Sequence, residues 1–445
     1  MHFQIFASVG LLATGIIVSA EGLPGKNYLW GQDRMGKMVA RQVTTSSKVA
    51  SSTTSLVADP ACTHGPLTRS CWSNGFSIAT DFDQKFPTTG NTKTYSLEIT
   101  NTTCDTDGHG QQECLLVNNQ YPGPTIIADW GDTIQVTVKN SMQDNGTSIH
   151  WHGIRQYHST GEDGVNGITE CALAPGDSRT YTFQATQFGT SWYHSHYSAQ
   201  YGSGVVGTII INGPATSNYD IDLGTFPITD WYYATAEQIN EEALILGQNG
   251  QGAPPADNVL VNGTNGGTTG TYQKVTVTPG KKHRLRLINT SVDNFFRVKL
   301  DNHPFTVISA DFIPVTPIAG QDWVLIGIGQ RYDVIFTANQ TAGTYWFRVD
   351  VANDCASGAN GEGRALFTYS GQTVSAPTDS NEAAPQDACT ELTTVPYWKQ
   401  SVDDSTFTNQ VKTLKSDFSP GVTANGQNLV LWSLNVTCVY KTYPV

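Results

Sequence analysis

From residue 95 onward the chain alternates short hydrophobic and polar positions, broken at intervals by turn residues. Thr133-Ile-Gln-Val-Thr-Val138 is apolar at every second position and follows the turn Trp130-Gly131-Asp132. Arg179-Thr-Tyr-Thr-Phe183 repeats the pattern after Pro175-Gly176-Asp177. A period of two sends alternate side chains to opposite faces, so both segments are predicted as half-buried strands. Gly204–Ile211 is a continuous apolar run, with the length and composition of a buried strand. The same grammar returns later: Lys274-Val-Thr-Val-Thr278, then Pro279-Gly280-Lys281, then Arg284-Leu-Arg-Leu-Ile288. Arg331-Tyr-Asp-Val-Ile-Phe336 and Thr344-Tyr-Trp-Phe-Arg-Val349 close this second set. A strand, a Pro-Gly turn and a strand, near 175 and again near 279, read as the duplication of one β-sandwich. No helical period competes, and the predicted fold class is all-β.

Turn and linker signals divide the chain. Asn212-Gly213-Pro214 ends a strand, and Ser370–Gln386 is rich in Pro, Ser and Asp. Residues 59–214 and 215–372 are therefore read as two complete sandwiches. Residues 373–445 form a linker and a segment too short for a third. At the other end, the apolar run Ile5–Ile17 followed by Val18-Ser19-Ala20 reads as a signal peptide over 1–20. Residues 21–58 carry Lys26, Arg34, Lys37, Arg41 and Lys48, with the Ser/Thr-rich stretch Thr44–Ser55. They read as a pro-segment or disordered linker.

Composition narrows the class. Only 14% of the 445 residues are charged, which argues against coiled coil and long disorder. A formal charge of −13 argues against a nucleic-acid partner, since phosphate binding needs a basic surface. No later segment approaches the ~20 apolar residues that span a bilayer, so no membrane partner is expected. Sequons begin at Asn101, Asn145, Asn262, Asn289, Asn339 and Asn435 and are read as glycosylation sites. The eight cysteines are Cys62, Cys71, Cys104, Cys114, Cys171, Cys355, Cys389 and Cys438, without any C-x-x-C pair. An even number in that arrangement favours disulfides and a secreted, extracellular protein. Cys104 and Cys114 flank Asp107-Gly108, a hairpin turn signal, and are predicted to bond across it.

Four of the ten histidines fall in two H-x-H pairs, His150-Trp151-His152 and His194-Ser195-His196. In a strand, residues i and i+2 project from one face, so each pair aims two imidazoles at one place. Neutral imidazole suits borderline metals such as copper and zinc. Catalytic zinc usually takes three protein ligands and water, yet the sequence has no H-E-x-x-H and no neighbouring carboxylate ligand. Four histidines of this kind fit a copper cluster open to oxygen. His64, His109, His158, His283 and His303 are read as solvated or structural, and Gly327-Ile-Gly329 as a strand or turn.

Ser148-Ile-His-Trp-His-Gly153 and the segment Gly189–Gly202, which contains Trp-Tyr-His-Ser-His, closely resemble the first two copper motifs of multicopper oxidases. The likeness is strongest to ascomycete fungal laccases. Supporting stretches are Asn119-Gln-Tyr-Pro-Gly-Pro124, Trp130-Gly-Asp-Thr133, Asp163–Glu170, Gly204–Pro214, Phe226-Pro-Ile-Thr-Asp230 and Gly329-Gln-Arg-Tyr-Asp333. The likeness as a whole covers about residues 60 to 435. The resemblance implies tandem cupredoxin-like Greek-key sandwiches, three in the family, with two complete and a third only begun here. It also implies a laccase-type oxidation of phenols or aromatic amines at a type 1 copper, with O2 reduced to water at a trinuclear cluster. By the same resemblance His150 is the type 2 ligand, and His152, His194 and His196 serve the type 3 pair. Asp132 matches a family acid near the cluster, although as sequence it reads equally as a turn residue. The family's pattern pairs Cys62 with Cys71 and Cys355 with Cys389, and sends Cys171 to the far C-terminus. Cys171 and Cys438 are then left over, free or paired with each other.

The chain departs from the family in one respect. The motifs H-P-x-H-L-H-G-H and H-C-H-I-x-W-H-L belong to the family's third domain, and no histidine follows His303 here. Type 1 ligands and half the trinuclear ligands are therefore missing, as in a chain shortened by about a quarter, and this chain alone is expected to be an inactive monomer. The alternative is a non-catalytic secreted copper-binding or scaffold protein. A zinc hydrolase lacks a third ligand and a general base. A small trimeric two-domain oxidase would still need a type 1 set.

Overall fold

The computed structural model describes residues 62–399, except 267–269, 379–383 and 386–388, together with two outlying strand pairs. Those pairs are β1 (Tyr28–Gln32) with β2 (Met38–Gln42), and β22 (Ser416–Val422) with β23 (Asn428–Leu434), both antiparallel. The expected signal peptide, Asn435 and Cys438 lie outside the described residues.

The first sandwich contains β3 (Thr92–Cys104), β4 (Gln112–Val117), β5 (Gly123–Asp129), β6 (Thr133–Asn140), β7 (Ile149–Trp151), β8 (Ser178–Gln184), β9 (Gly189–Ser195) and β10 (Val206–Asn212). One sheet has the order β4-β3-β6-β8 and the other β5-β10-β9-β7. The alternation in β6 works as the sequence predicts, burying Ile134, Val136 and Val138 in the core with Trp151, Tyr181 and Tyr193. Strand β10 starts at Val206 rather than Gly204, because Gly204 ends a short 3-10 turn.

The second sandwich contains β11 (Ile221–Trp231), α1 (Ala236–Gln248), β12 (Asn258–Val261), β13 (Gln273–Val277), β14 (Lys282–Asn289), β15 (Phe296–Leu300), β16 (Phe305–Ala310), β17 (Ile313–Gln321), β18 (Val324–Ile326), β19 (Arg331–Thr337), β20 (Thr344–Val351) and β21 (Gly363–Tyr369). Its sheets run β12-β11-β14-β19-β16-β17 and β13-β21-β20-β15-β18. Strands β14 and β19 alternate polar and apolar residues, yet both are buried almost throughout. Leu285, Leu287, Tyr332, Val334 and Phe336 fill the core. The polar face, with Arg284, Arg286, Arg331 and Asp333, is covered by the first sandwich. Thr190 of β9 donates to Asp333 Oδ1 at 2.5 Å and accepts from Arg286 Nη1 at 2.9 Å. A second contact joins the sandwiches at the β3–β4 hairpin. There the buried Asp107 carboxylate accepts from Asn258 Nδ2 at 2.6 Å and Tyr233 OH at 2.9 Å.

Helix α1 has no counterpart in the strand grammar. Its signal is local: Thr235 and Gln238 form a reciprocal capping box, while Leu244 and Ile245 stay exposed and blur any apolar stripe. The structure pairs Cys62 with Cys71, Cys104 with Cys114 across the hairpin, and Cys355 with Cys389. Cys171 is exposed and free. No helix among the described residues is long and apolar enough to cross a membrane.

The sequon at Asn289 is corrected by the fold. Asn289 is 0% exposed, and its amide donates to the carbonyls of Asn294 at 2.9 Å and Ile326 at 3.1 Å. A glycan has no access to it, whereas Asn101, Asn145 and Asn339 are exposed and Asn262 half-buried. Glycopeptide mapping of the chain secreted from a glycosylating host should find Asn101, Asn145 or Asn339 modified and Asn289 bare. Asn289→Gln should cost about 1–3 kcal/mol of unfolding free energy, as two buried hydrogen bonds are lost, while Asn101→Gln should cost little.

Candidate metal centre

Strands β7 and β9 are neighbours, and their antiparallel register sets His150 directly opposite His194. His152 follows β7 by one residue and is tied to β9 by its own N–H, which donates to the Trp192 carbonyl at 3.0 Å. Ser191 of β9 returns a bond from its hydroxyl to the His152 carbonyl. Because i and i+2 share a face, both H-x-H pairs turn the same way, and Trp151 and Tyr193 turn into the core.

The result is a cluster. One ring nitrogen from each of His150, His152 and His194 lies within 4.8 Å of the others. His152 Nδ1 is 3.2 Å from His194 Nε2. The exposed His196 sits at the edge, its ring 5.4 Å from that of His150 and 6.0 Å from that of His194. Trp192 stacks on both His152 (4.7 Å) and His194 (4.2 Å), flanking the pair on one side.

Backbone carbonyls fix which nitrogens face the cluster. His150 Nδ1 donates to the Asp163 carbonyl at 2.8 Å, and His194 Nδ1 to the Ser195 carbonyl at 2.9 Å. Each bond leaves Nε2 as a free lone pair, the arrangement metal-bound histidines use. Burial pushes His152 down to about 2, helped by the nearby Arg331 charge, and His194 down to about 3. Burial also lowers His150, against the opposing pull of Asp163. Three neutral imidazoles, one buried and two partly buried, are a donor set fitted to a transition metal.

The acid beside this cluster is Asp163, which sequence reasoning missed. Its Oδ1 lies 3.5 Å from His150 Nδ1. Gly164 makes that approach possible, since it adopts φ +77° and a Cβ there would lie 1.7 Å from the Ile149 carbonyl oxygen. An Asp-Gly pair shortly after H-x-H was the available signal. Asp132, the other candidate acid, lies at the β5–β6 turn. Its buried carboxylate accepts from Thr89 Oγ1 at 2.5 Å and from the Asp129 N–H at 2.9 Å, so its oxygens are committed to the β5–β6 turn.

The remaining histidines lie elsewhere. His64 donates to the Cys71 carbonyl, and His283 accepts from the Thr278 N–H. His303 meets Tyr369 OH at 2.8 Å, His109 stacks on Tyr233, and His158 lies against Tyr157. Gly327 and Gln330 close a turn whose Gly329 touches the His152 ring.

A duplicated Greek-key sandwich with imidazoles paired across two strands defines the class, and comparison with known proteins agrees. Residues 98–216 and 222–372 each match a multicopper oxidase family. The chain is 55% identical over 325 residues to Laccase-3 of Botryotinia fuckeliana, covering 72% of this chain and 70% of that protein. It is 43% identical over 442 residues to a laccase of Neurospora crassa, covering 97% of this chain and 67% of that one. The solved laccase of Botrytis aclada superimposes with a TM-score of 0.75 at 38% identity, over 84% of this chain and 69% of that chain. The chain belongs to the multicopper oxidase family, is fungal laccase-like, and has cupredoxin-like sandwiches. It spans about two thirds of the length of these relatives, and the metal of the family is copper.

The buried histidines give metal-free stability a pH signature. His194 stays neutral in the fold down to about pH 3 but titrates near 6.5 when unfolded. Below that value the unfolded chain binds more protons, so stability falls as pH falls, by up to about 1.4 kcal/mol per pH unit for this residue. Denaturant melts of the metal-free chain from neutral pH to about 4 should show a steeper fall than His194→Gln by that amount. Equal slopes would contradict the buried neutral state.

Proposed function

We propose that the chain is a secreted laccase-type oxidase polypeptide whose first sandwich holds copper through His150, His152, His194 and His196. In this reading His150 binds the type 2 ion, and the other three serve the type 3 pair. The observation that carries it is the convergence of three neutral imidazole nitrogens within 4.8 Å, two of them on rings whose tautomer a backbone carbonyl fixes. Copper bound there would supply the one-electron steps that reduce dioxygen. The chain's own residues bind and orient. Trp192 stacks against both His152 and His194 and so fixes the planes of the two rings. The Asp163 carbonyl aims His150, and its carboxylate lies 3.5 Å from the same ring nitrogen.

The substrates proposed are phenols or aromatic amines, with O2 as acceptor, for a monomeric glycoprotein. The 445 residues given include no cysteine flanked by histidines, and no histidine beyond His303. By themselves they offer no type 1 site through which a phenol could give up an electron. They also offer only four imidazoles to the cluster. Copper should therefore bind weakly and without fixed stoichiometry.

The test is to express this chain, add copper, dialyse, and record copper content, the visible spectrum and oxygen uptake with a phenol. Titratable copper binding that is lost in His150→Ala and His194→Ala is expected. The blue Cu–thiolate absorption should be missing, and phenol-dependent uptake should not exceed that of free copper. Tight stoichiometric copper without oxygen uptake would favour a copper-binding protein instead. A blue band with turnover that survives dialysis would overturn the proposed division of ligands.

A further inference from the structure

The segment Gly329-Gln-Arg-Tyr-Asp333 belongs to the second sandwich, yet it lies against the histidines of the first. Gly329 adopts φ +75°, and its Cα packs on the His152 imidazole. A Cβ there would stand 3.0 Å from His152 Cε1, 3.1 Å from Nε2 and 3.9 Å from Trp192 Cζ2. Two residues on, Arg331 Nε donates to the Thr190 carbonyl at 3.1 Å, and Nη1 donates to the Gly329 carbonyl at 3.1 Å. One guanidinium thus ties the turn under His152 to the start of β9. Asp333 completes the grip through Thr190 Oγ1 at 2.5 Å, and is itself held by Arg284 Nη2 at 2.5 Å. Thr190, Trp192 and His194 are i, i+2 and i+4 on one face of β9, so fixing Thr190 fixes that row. We infer that Gly329, Arg331 and Asp333 are positioning residues for the metal-binding imidazoles, so that the copper affinity of the first sandwich is set partly by the second.

The inference rests on the reading of His152 and His194 as copper ligands. Outer contacts that orient ligands typically govern metal affinity by about 10–100-fold. The experiment titrates the full chain with Cu2+ against a competing chelator, records the EPR spectrum, and melts each metal-free protein. Gly329→Ala and Thr190→Val should weaken Cu2+ binding about tenfold or more and alter the hyperfine pattern, and Thr190→Ser, which keeps the hydroxyl, should restore both. Asp107→Asn loosens the other contact between the sandwiches and should lower the melting temperature while leaving affinity and spectrum unchanged. If the parent binds Cu2+ but Gly329→Ala and Thr190→Val bind equally well, the positioning role is wrong and the ligand reading stands. An Asp107→Asn variant that loses as much affinity would reduce the effect to general loosening and overturn the inference. A parent that takes up no Cu2+ defeats the ligand reading, and this inference with it. Should Gly329→Ala not fold, the Thr190→Val and Thr190→Ser pair decides alone.

Discussion

The site depends on one constraint, the register between β7 and β9. His150 faces His194 because Trp151 pairs with Tyr193 and Ile149 with Ser195. A slip of one residue would exchange faces along the whole strand, pushing imidazoles into the core and indole out to the cluster. The slip is opposed by packing: Trp151 and Tyr193 are both fully buried among Tyr181, Phe183 and Ile209. Burial of two large aromatic side chains, at about 1.5–3 kcal/mol or more each, outweighs anything the histidines lose by desolvation without metal. The core therefore places the metal ligands, and the ligands need not stabilise the fold.

The same strand has a second obligation. The face of β9 that carries Thr190, Trp192 and His194 points away from its own core, where an isolated sandwich would be wet. Here it is buried, because β14 and β19 of the second sandwich close over it. That cover takes the face out of water, and loss of water, with the Arg331 charge beside His152, keeps the imidazoles neutral. Duplication of the sandwich is thus more than repetition, since the second copy supplies the environment in which the first copy's histidines become ligands.

Legibility in the sequence followed how local each signal was. The period of two in β6 and the H-x-H pairs needed only neighbouring residues, and both were readable. The turn chemistry of Trp130-Gly131-Asp132 was readable too, and the Asp132 carboxylate bonds within that turn region. Asp163 reaches His150 only because Gly164 lets the chain pass β7, a tertiary approach that no periodicity records. Asn289 satisfies the sequon rule and fails the burial rule, which sequence does not state. The burial of the polar faces of β14 and β19 was hidden for the same reason, since only the docked partner covers them. Helix α1 escaped because its signal is a four-residue capping box beside an exposed pair of aliphatics.

The buried charges at that docking face raise the question of what they are for. Arg284, Arg286, Arg331 and Asp333 sit in strands whose neighbours are leucine, isoleucine, valine and phenylalanine. Removing such groups from water costs several kcal/mol per ion, and their attraction roughly repays it, so an apolar face of equal volume would hold the sandwiches at least as tightly. An apolar face, however, tolerates sliding, because dispersion and hydration depend weakly on register. Guanidinium and carboxylate groups do not, since each bond has a direction and a buried orphan is costly. Thr190 has one hydroxyl, and Asp333 and Arg286 both use it. A displacement of the second sandwich by one residue would strip Thr190 of both partners, while Asp333 and Arg286 would keep only Arg284 and Asp222. The network therefore contributes orientation more than adhesion, and orientation is what a cluster of imidazoles set to within a few tenths of an ångström requires.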